Sequence, residues 1–303
     1  MRGLKWTEQA GVLLILSGIL VGVGFPLAKI ATERAIPVDM WIMLNSLGAS
    51  CSLGLILLVK GQLKWPKGRE FRYMLIAGPL TFAGPSILVF LIVQKVGAGF
   101  TGIMFALSPV FTSLLARILG LGSLGNRRVI GLTMGLIGAI GISLSRDMSP
   151  TTESIAWFIV PLSIPLVLAA GNLYRTMNWP KGAAPEFLAF WSHVAAFTVF
   201  LVLSYGKGTE SLFTYFNHES WLVSAKLFIS ALAGPVVFRL QKYGGPVLLS
   251  QIGYVAAGVS LLVSTALLGE TFPILSWLST LIIAIGLTFT LTASRKAGWG
   301  QPT

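Results

Sequence analysis

Residues 243–269 read YGGPVLLSQIGYVAAGVSLLVSTALLG, 27 residues without an Asp, Glu, Lys or Arg. A helix that crosses the hydrocarbon core of a bilayer needs about 20 predominantly apolar residues, so this stretch asks for a membrane. Working outward, uncharged apolar stretches of similar kind occupy 271–294 on one side and 187–206, 154–174, 129–145, 96–116, 73–94, 40–59 and 9–28 on the other. Residues 221–240 form one more, with Lys226 and Arg239 towards its two ends, where long basic side chains are expected to snorkel to the interface. The pattern predicts an all-α polytopic membrane protein of ten transmembrane helices joined by short loops. Arg2 and Lys5 precede the first stretch as they would in a signal peptide. That stretch is too long for a signal-peptide core and is expected to be a retained helix.

Composition agrees. Of 303 residues, 54% are hydrophobic and 11% charged, and mean hydropathy is +0.81. Soluble domains carry about 25% charged residues, so a soluble enzyme is excluded, and a disordered chain is excluded by the same comparison reversed. One cysteine, Cys51, permits no internal disulfide and no thiolate cluster, and two histidines, His193 and His218, are too few for a typical zinc site. No cofactor or metal is expected. The net charge of +12 is spread singly between apolar runs, which is the signature of membrane-protein loops, not of a nucleic-acid partner. With a cytoplasmic N-terminus, sixteen Lys and Arg fall inside and six outside. The loop Lys60–Arg72 carries most of the bias, and both termini are expected in the cytoplasm.

The chain also repeats itself. Gln94-Lys95-Val96-Gly97 returns as Gln241-Lys242-Tyr243-Gly244, and Leu121-Gly122-Ser123 as Leu268-Gly269-Glu270. Leu136-Ile137-Gly138-Ala139-Ile140-Gly141 returns as Leu281-Ile282-Ile283-Ala284-Ile285-Gly286, and Lys29 answers to Arg175. The offsets agree to within two residues, which predicts two units, 1–147 and 148–303, of five helices each. Five is odd, so the second unit enters the membrane with opposite polarity. This 5+5 inverted-topology repeat is a design of secondary transporters.

The first half carries Gly24-Phe25, Lys29 and Pro37, then Gly97-Ala98-Gly99, then the run Ser108-Pro109-Val110-Phe111-Thr112-Ser113-Leu114-Leu115-Ala116, then Leu121-Gly122 and a glycine-spaced helix. These residues resemble the ten-helix EamA-type group of the drug/metabolite transporter superfamily, over about residues 10–295. The resemblance implies transport of a small organic metabolite, with helices five and ten at the periphery. Two positions depart from the pattern. Asn45 stands where the group often has an arginine, and Gly122-Ser123 replaces a Gly-Glu, leaving Glu270 as the glutamate of the second half.

Polar groups inside spans are functional candidates because hydrocarbon penalises them. Helices one to four and six to nine are expected to enclose a pocket lined by Asn45, Asn172, Tyr174, His193, Gln251 and Tyr254, with Ser108, Thr112 and Ser192, and with the cations Lys29 and Arg175 near its mouths. Interhelical hydrogen bonds are the alternative role for the neutral groups, and snorkelling the alternative for the two cations. The ten acidic residues all fall at span ends or in loops, which disfavours a carboxylate-based proton shuttle and a cationic substrate. Lys29 and Arg175 then have no buried acid to balance them, which points to an anionic or zwitterionic substrate, an amino acid being the leading case. Gly131, Gly135, Gly138 and Gly141 share one helix face and are expected to pack. Pro79 and Pro235, among others, are expected to kink their helices, and Trp41, Trp157, Trp179, Trp221, Trp277 and Trp299 to anchor at interfaces.

The reading is a secondary transporter, an exporter or exchanger working by alternating access as a monomer in a prokaryotic cytoplasmic membrane. Its partners are a small-molecule substrate and the lipid bilayer. Without a Ser/His/Asp set, paired buried carboxylates or a phosphate loop, no enzyme activity is expected. A polytopic membrane enzyme and a receptor-like helical bundle remain the alternatives.

Overall fold

A computed structural model describes residues 6–88, 105–121, 125–144, 160–205 and 218–297. Every regular element among them is helical. In chain order they are α1 (Trp6–Glu33), α2 (Val38–Val59), α3 (Arg69–Gly78), α4 (Ser108–Ile118), α5 (Asn126–Leu144), α6 (Ser163–Met177), α7 (Pro185–Tyr205), α8 (Ser220–Ser250), α9 (Ile252–Leu268) and α10 (Ile274–Ala297). A π-helical turn, Pro79–Ala83, prolongs α3, and a 3-10 turn, Val160–Leu162, leads into α6. Among the described residues, four segments are long and apolar enough to cross a bilayer: Ala10–Glu33, Val38–Val59, Pro185–Ser204 and Ser220–Ser250. Ile252–Leu268 and Ile274–Thr290 are shorter apolar helices. The repeated Gln94–Gly97 motif, Trp157 and Trp299 lie outside the described residues.

Local chemistry sets the helix ends. Pro37 precedes α2, and Asp39 in its first turn accepts a hydrogen bond from the Met40 N–H at 3.0 Å, meeting one of the donors a helix start leaves open. Pro109 and Pro185 sit in first turns, where a missing N–H costs nothing. Proline accompanies one break and one widened turn in this bundle. α8 runs through Pro235 and breaks at Gly245, whose φ of 70° is open to glycine, with Pro246 behind it. At Pro79 the chain accommodates the lost donor by widening to a π turn, closed by the Gly84 N–H donating to Pro79 O.

α1 packs against α8 and α9, α2 against α7 and α8, α3 against α7, α4 against α6, and α5 against α10. The glycine face of α5 is a packing face, as its spacing predicts. A Cβ at Gly131 would meet Gly286 O and Thr290, and one at Gly138 would meet Ser279 O and Ile283, all on α10. One at Gly135 would meet the Tyr254 ring of α9. Small residues here let backbones approach closely. Outward faces are apolar: Leu55, Leu58, Leu201, Val202, Phe228, Leu267 and Leu281 are all exposed, as a surface facing lipid tails should be.

Candidate functional site

Four helices bring their side chains together around Arg175. It lies in the last turn of α6 and is 2% exposed. The expectation that it sits near a mouth, able to reach water, is corrected: it is interior. Its guanidinium stands over the Phe238 ring of α8, 5.0 Å from the centroid, a cation–π contact. One hydrogen bond holds it, from Nη2 to Asn172 Oδ1 at 3.3 Å, while Nε and Nη1 are buried without a hydrogen-bond partner. Asn172 and Arg175 are three apart on α6 and so share a face.

An aromatic wall surrounds the guanidinium. Tyr73 of α3 stacks on Tyr174 with centroids 6.1 Å apart and meets Trp179 edge-on at 6.1 Å. Phe82, on the π turn, stacks on His193 of α7 at 4.0 Å and lies 6.1 Å from Phe238. Trp179 and His193 complete the ring at 6.5 Å and 6.4 Å from Phe238. Gln241, one turn past Phe238, donates from Nε2 to Asn172 O at 3.3 Å and to Thr176 Oγ1. Tyr73 Oη, His193 Nδ1 and Gln241 Oε1 are buried without partners. A buried polar atom left unpaired is penalised by roughly 1–3 kcal/mol. A ligand that accepts from Arg175 and Tyr73 and donates to Gln241 would satisfy several at once.

The other expected residues fall elsewhere. Lys29 is not an unbalanced cation: it forms an ion pair with Glu270 and a longer one, 3.8 Å, with Glu33, and its side chain is 40% exposed. The pairing of Lys29 with Glu270 removes it from the argument for an anionic ligand. Asn45 accepts at Oδ1 from Lys226 Nζ at 2.9 Å and from Ser230 Oγ at 3.0 Å. Lys226 therefore does not snorkel outward, and Trp41, expected at the interface, is buried with the Lys226 ammonium 5.1 Å from its ring centroid. Tyr254 packs with Ala106, Ala139, Ile164 and Ile283, and its hydroxyl donates to Leu132 O at 3.4 Å. Gln251, at the junction of α8 and α9, is fully buried with both side-chain polar atoms unpartnered. Ser108 is buried at the start of α4, and Thr112 and Ser192 are buried with unpartnered hydroxyls.

Sequence reasoning missed Tyr73, Phe82, Phe238, Gln241 and Lys226. Gln241 stood in the repeated Gln-Lys-x-Gly motif. Lys226 was marked by lying inside an apolar stretch. The three aromatic residues carried no signal beyond hydrophobicity.

The long apolar helices define an integral membrane protein, and a buried, partly unpaired guanidinium inside its bundle is a candidate functional site. Residues 9–144 match the EamA-like transporter family. That stretch is similar to the family, which bears out the likeness to EamA-type members of the drug/metabolite transporter superfamily. A solved crystal structure aligns with 95% of this chain and 98% of its own at a TM-score of 0.71 and 14% sequence identity, which shows a shared fold. No curated protein matches the sequence.

Proposed function

We propose that the protein is a secondary transporter that exports or exchanges a small organic anion or zwitterion by alternating access, with Arg175 anchoring the substrate's anionic group. The carrying observation is the Arg175 guanidinium, interior yet with Nε and Nη1 unpartnered. Arginine offers a planar fork that takes a carboxylate with two parallel hydrogen bonds. Tyr73, Tyr174, Phe82 and Phe238 supply the apolar walls that make such a pocket a small-molecule site. Asn172, Tyr174 and His193 belong to this site. Asn45, Gln251 and Tyr254 line the bundle beyond it, and Lys29 stands at one end.

The packing pairs support a 5+5 inverted repeat with halves at 1–147 and 148–303. Exchanging each helix for its counterpart five places away turns α1 against α9 into α6 against α4, and α2 against α8 into α7 against α3. It returns α5 against α10 and α2 against α7 to themselves, and every one of these is a packed pair. Two such halves can exchange conformations and so open a central site to either side. The charge bias puts both termini in the cytoplasm of a prokaryotic cell, and the carrier acts as a monomer.

Reconstitution into liposomes tests the reading. Efflux of amino and organic acids should saturate and fall on Arg175→Lys, which keeps the charge and loses the fork. Unsaturable flux would rule out a carrier. A reporter that works only in the cytoplasm should be active after Thr303 and silent between 207 and 220, and the reverse would remove the inverted topology.

A further inference from the structure

Lys226, Asn45, Ser230 and Trp41 form a second polar centre inside the bundle, and the account of Arg175 makes no use of it. Lys226 Nζ donates to Asn45 Oδ1 at 2.9 Å, and Ser230 Oγ donates to the same oxygen at 3.0 Å. The ammonium lies 5.1 Å from the buried Trp41 ring centroid. Its charge is thus met by an amide dipole and a ring face, and no carboxylate among the described residues pairs with it. An ammonium has three N–H donors. Asn45 takes one and Trp41 faces the charge, so at least one donor is left for a ligand.

The described acids on or beside α1, α2, α7, α8 and α9 are engaged elsewhere. Asp39 of α2 accepts from Ser204 Oγ at 2.8 Å and from the Met40 N–H. Glu219, just before α8, pairs with Arg34 at 2.9 Å, and Glu270 and Glu33 pair with Lys29. Glu186 pairs with Arg239 and Lys60.

The two cationic centres lie at different depths. Glu186 and Arg239 are bonded, so they mark a common level on α7 and α8. From there His193 is about 10 Å along α7 and Lys226 about 20 Å along α8, at 1.5 Å of rise per residue. Arg175 stays near the first level, against Phe238. By the same count His193 falls between the two cations.

We infer that Lys226, with Asn45, Ser230 and Trp41, is a second anion-binding station, so that a carboxylate- or phosphate-bearing substrate passes between two cations at different depths of one path. This rests on the reading of Arg175 as an anion anchor and extends it. A substrate ammonium would find no acid at either station and would be repelled by both cations, so the substrate class is a net anion in preference to a zwitterion. Lys226 is half-buried, and only neutral groups would have to give way to admit the ligand.

Thermal unfolding of the purified full chain in detergent, in sodium succinate, phosphate or chloride at matched ionic strength, tests the station. Succinate or phosphate should raise Tm above chloride. Lys226→Met should reduce that gain, and Lys226→Arg should restore part of it. In the Arg175→Ala background a residual gain should remain and should vanish with Lys226→Met. In chloride alone, Lys226→Met should unfold about 2–8 °C higher than wild type, because replacing a half-buried unpaired charge inside the bundle with an apolar chain removes a desolvation cost.

No gain in wild type, a full gain in Lys226→Met, or no gain in Arg175→Ala alone would each overturn the second station. A gain produced only by added phosphatidylglycerol and by neither salt would make Lys226 a lipid contact and also overturn it. A gain that survives Arg175→Ala undiminished yet falls with Lys226→Met would instead overturn the role given to Arg175 and leave the station standing.

Discussion

Phe238 and Arg239 are neighbours on α8, and they serve two differently built arginine sites. Arg239 donates twice to Glu186, at 2.9 Å and 2.5 Å, and Lys60 approaches the same carboxylate at 3.7 Å. Its side chain is 44% exposed and its charge is matched. Arg175, over Phe238, is interior, and its charge is met by one amide oxygen and aromatic faces. The first site ties α2, α7 and α8 together with complementary charges. The second leaves hydrogen-bonding capacity open inside the bundle. On the proposed reading, the contrast is that paired cations hold helices in this protein and unpaired ones take a ligand. Lys29 with Glu270 falls on the structural side, and Lys226 on the ligand side.

The largest effect should separate these roles. Arg175→Ala should lower flux by about 30-fold or more, since losing one partner of a buried charged contact costs at least ~2 kcal/mol. The amount of folded protein in the membrane should stay near wild type, because the variant also removes an interior charge. Flux and folded protein, measured on the same membranes, decide it. Glu186→Ala should do the converse. It strands Arg239 and Lys60 and should destabilise by ~1–3 kcal/mol, less than a fully buried pair because both cations reach water. Flux per folded molecule should change less than twofold, and thermal unfolding beside flux would show it.

A third variant tests a region with no charge. Gly138→Leu would press a side chain into the α5–α10 contact at Ser279 and Ile283, and overpacking of this kind costs ~1–3 kcal/mol. Unfolding should shift while substrate affinity stays constant. The smallest effect belongs to the exposed Lys64–Glu70 pair, 3.2 Å apart on the protein surface. Glu70→Gln should change stability by less than ~1 kcal/mol, and high salt should erase the difference.

The bundle was legible because membrane spans write themselves as long uncharged runs, and the described helices fall on those runs. The packing face of α5 was legible because four glycines recur at helical spacing. Helix breaks were less so: Pro235 and Pro246 look alike in the sequence, and only Gly245 can take the positive φ that opens the second of them. Arg175, Asn172, Tyr174 and His193 could be picked out as polar groups within or beside apolar runs, and the structure gathers them. The fates of Lys29 and Lys226 were hidden for a shared reason. A cation near the end of a span reads as snorkelling, and the partners that decide otherwise, Glu270 and Asn45, lie 241 and 181 residues away in sequence. Tyr73, Phe82 and Phe238 were hidden because an aromatic residue in an apolar run looks the same whether it faces lipid or a guanidinium.

The central claim is that Arg175 holds an anionic substrate, and a ligand screen on purified protein tests it most directly. Amino acids, mono- and dicarboxylates, phosphorylated metabolites and organic amines would be scored by their shift of thermal unfolding, first on wild type and then on Arg175→Ala. The account predicts that every stabilising compound carries an anionic group and that its effect falls in Arg175→Ala to the residual that Lys226 provides. Stabilisation by amines alone, or by anions to the same extent in both proteins, would contradict it.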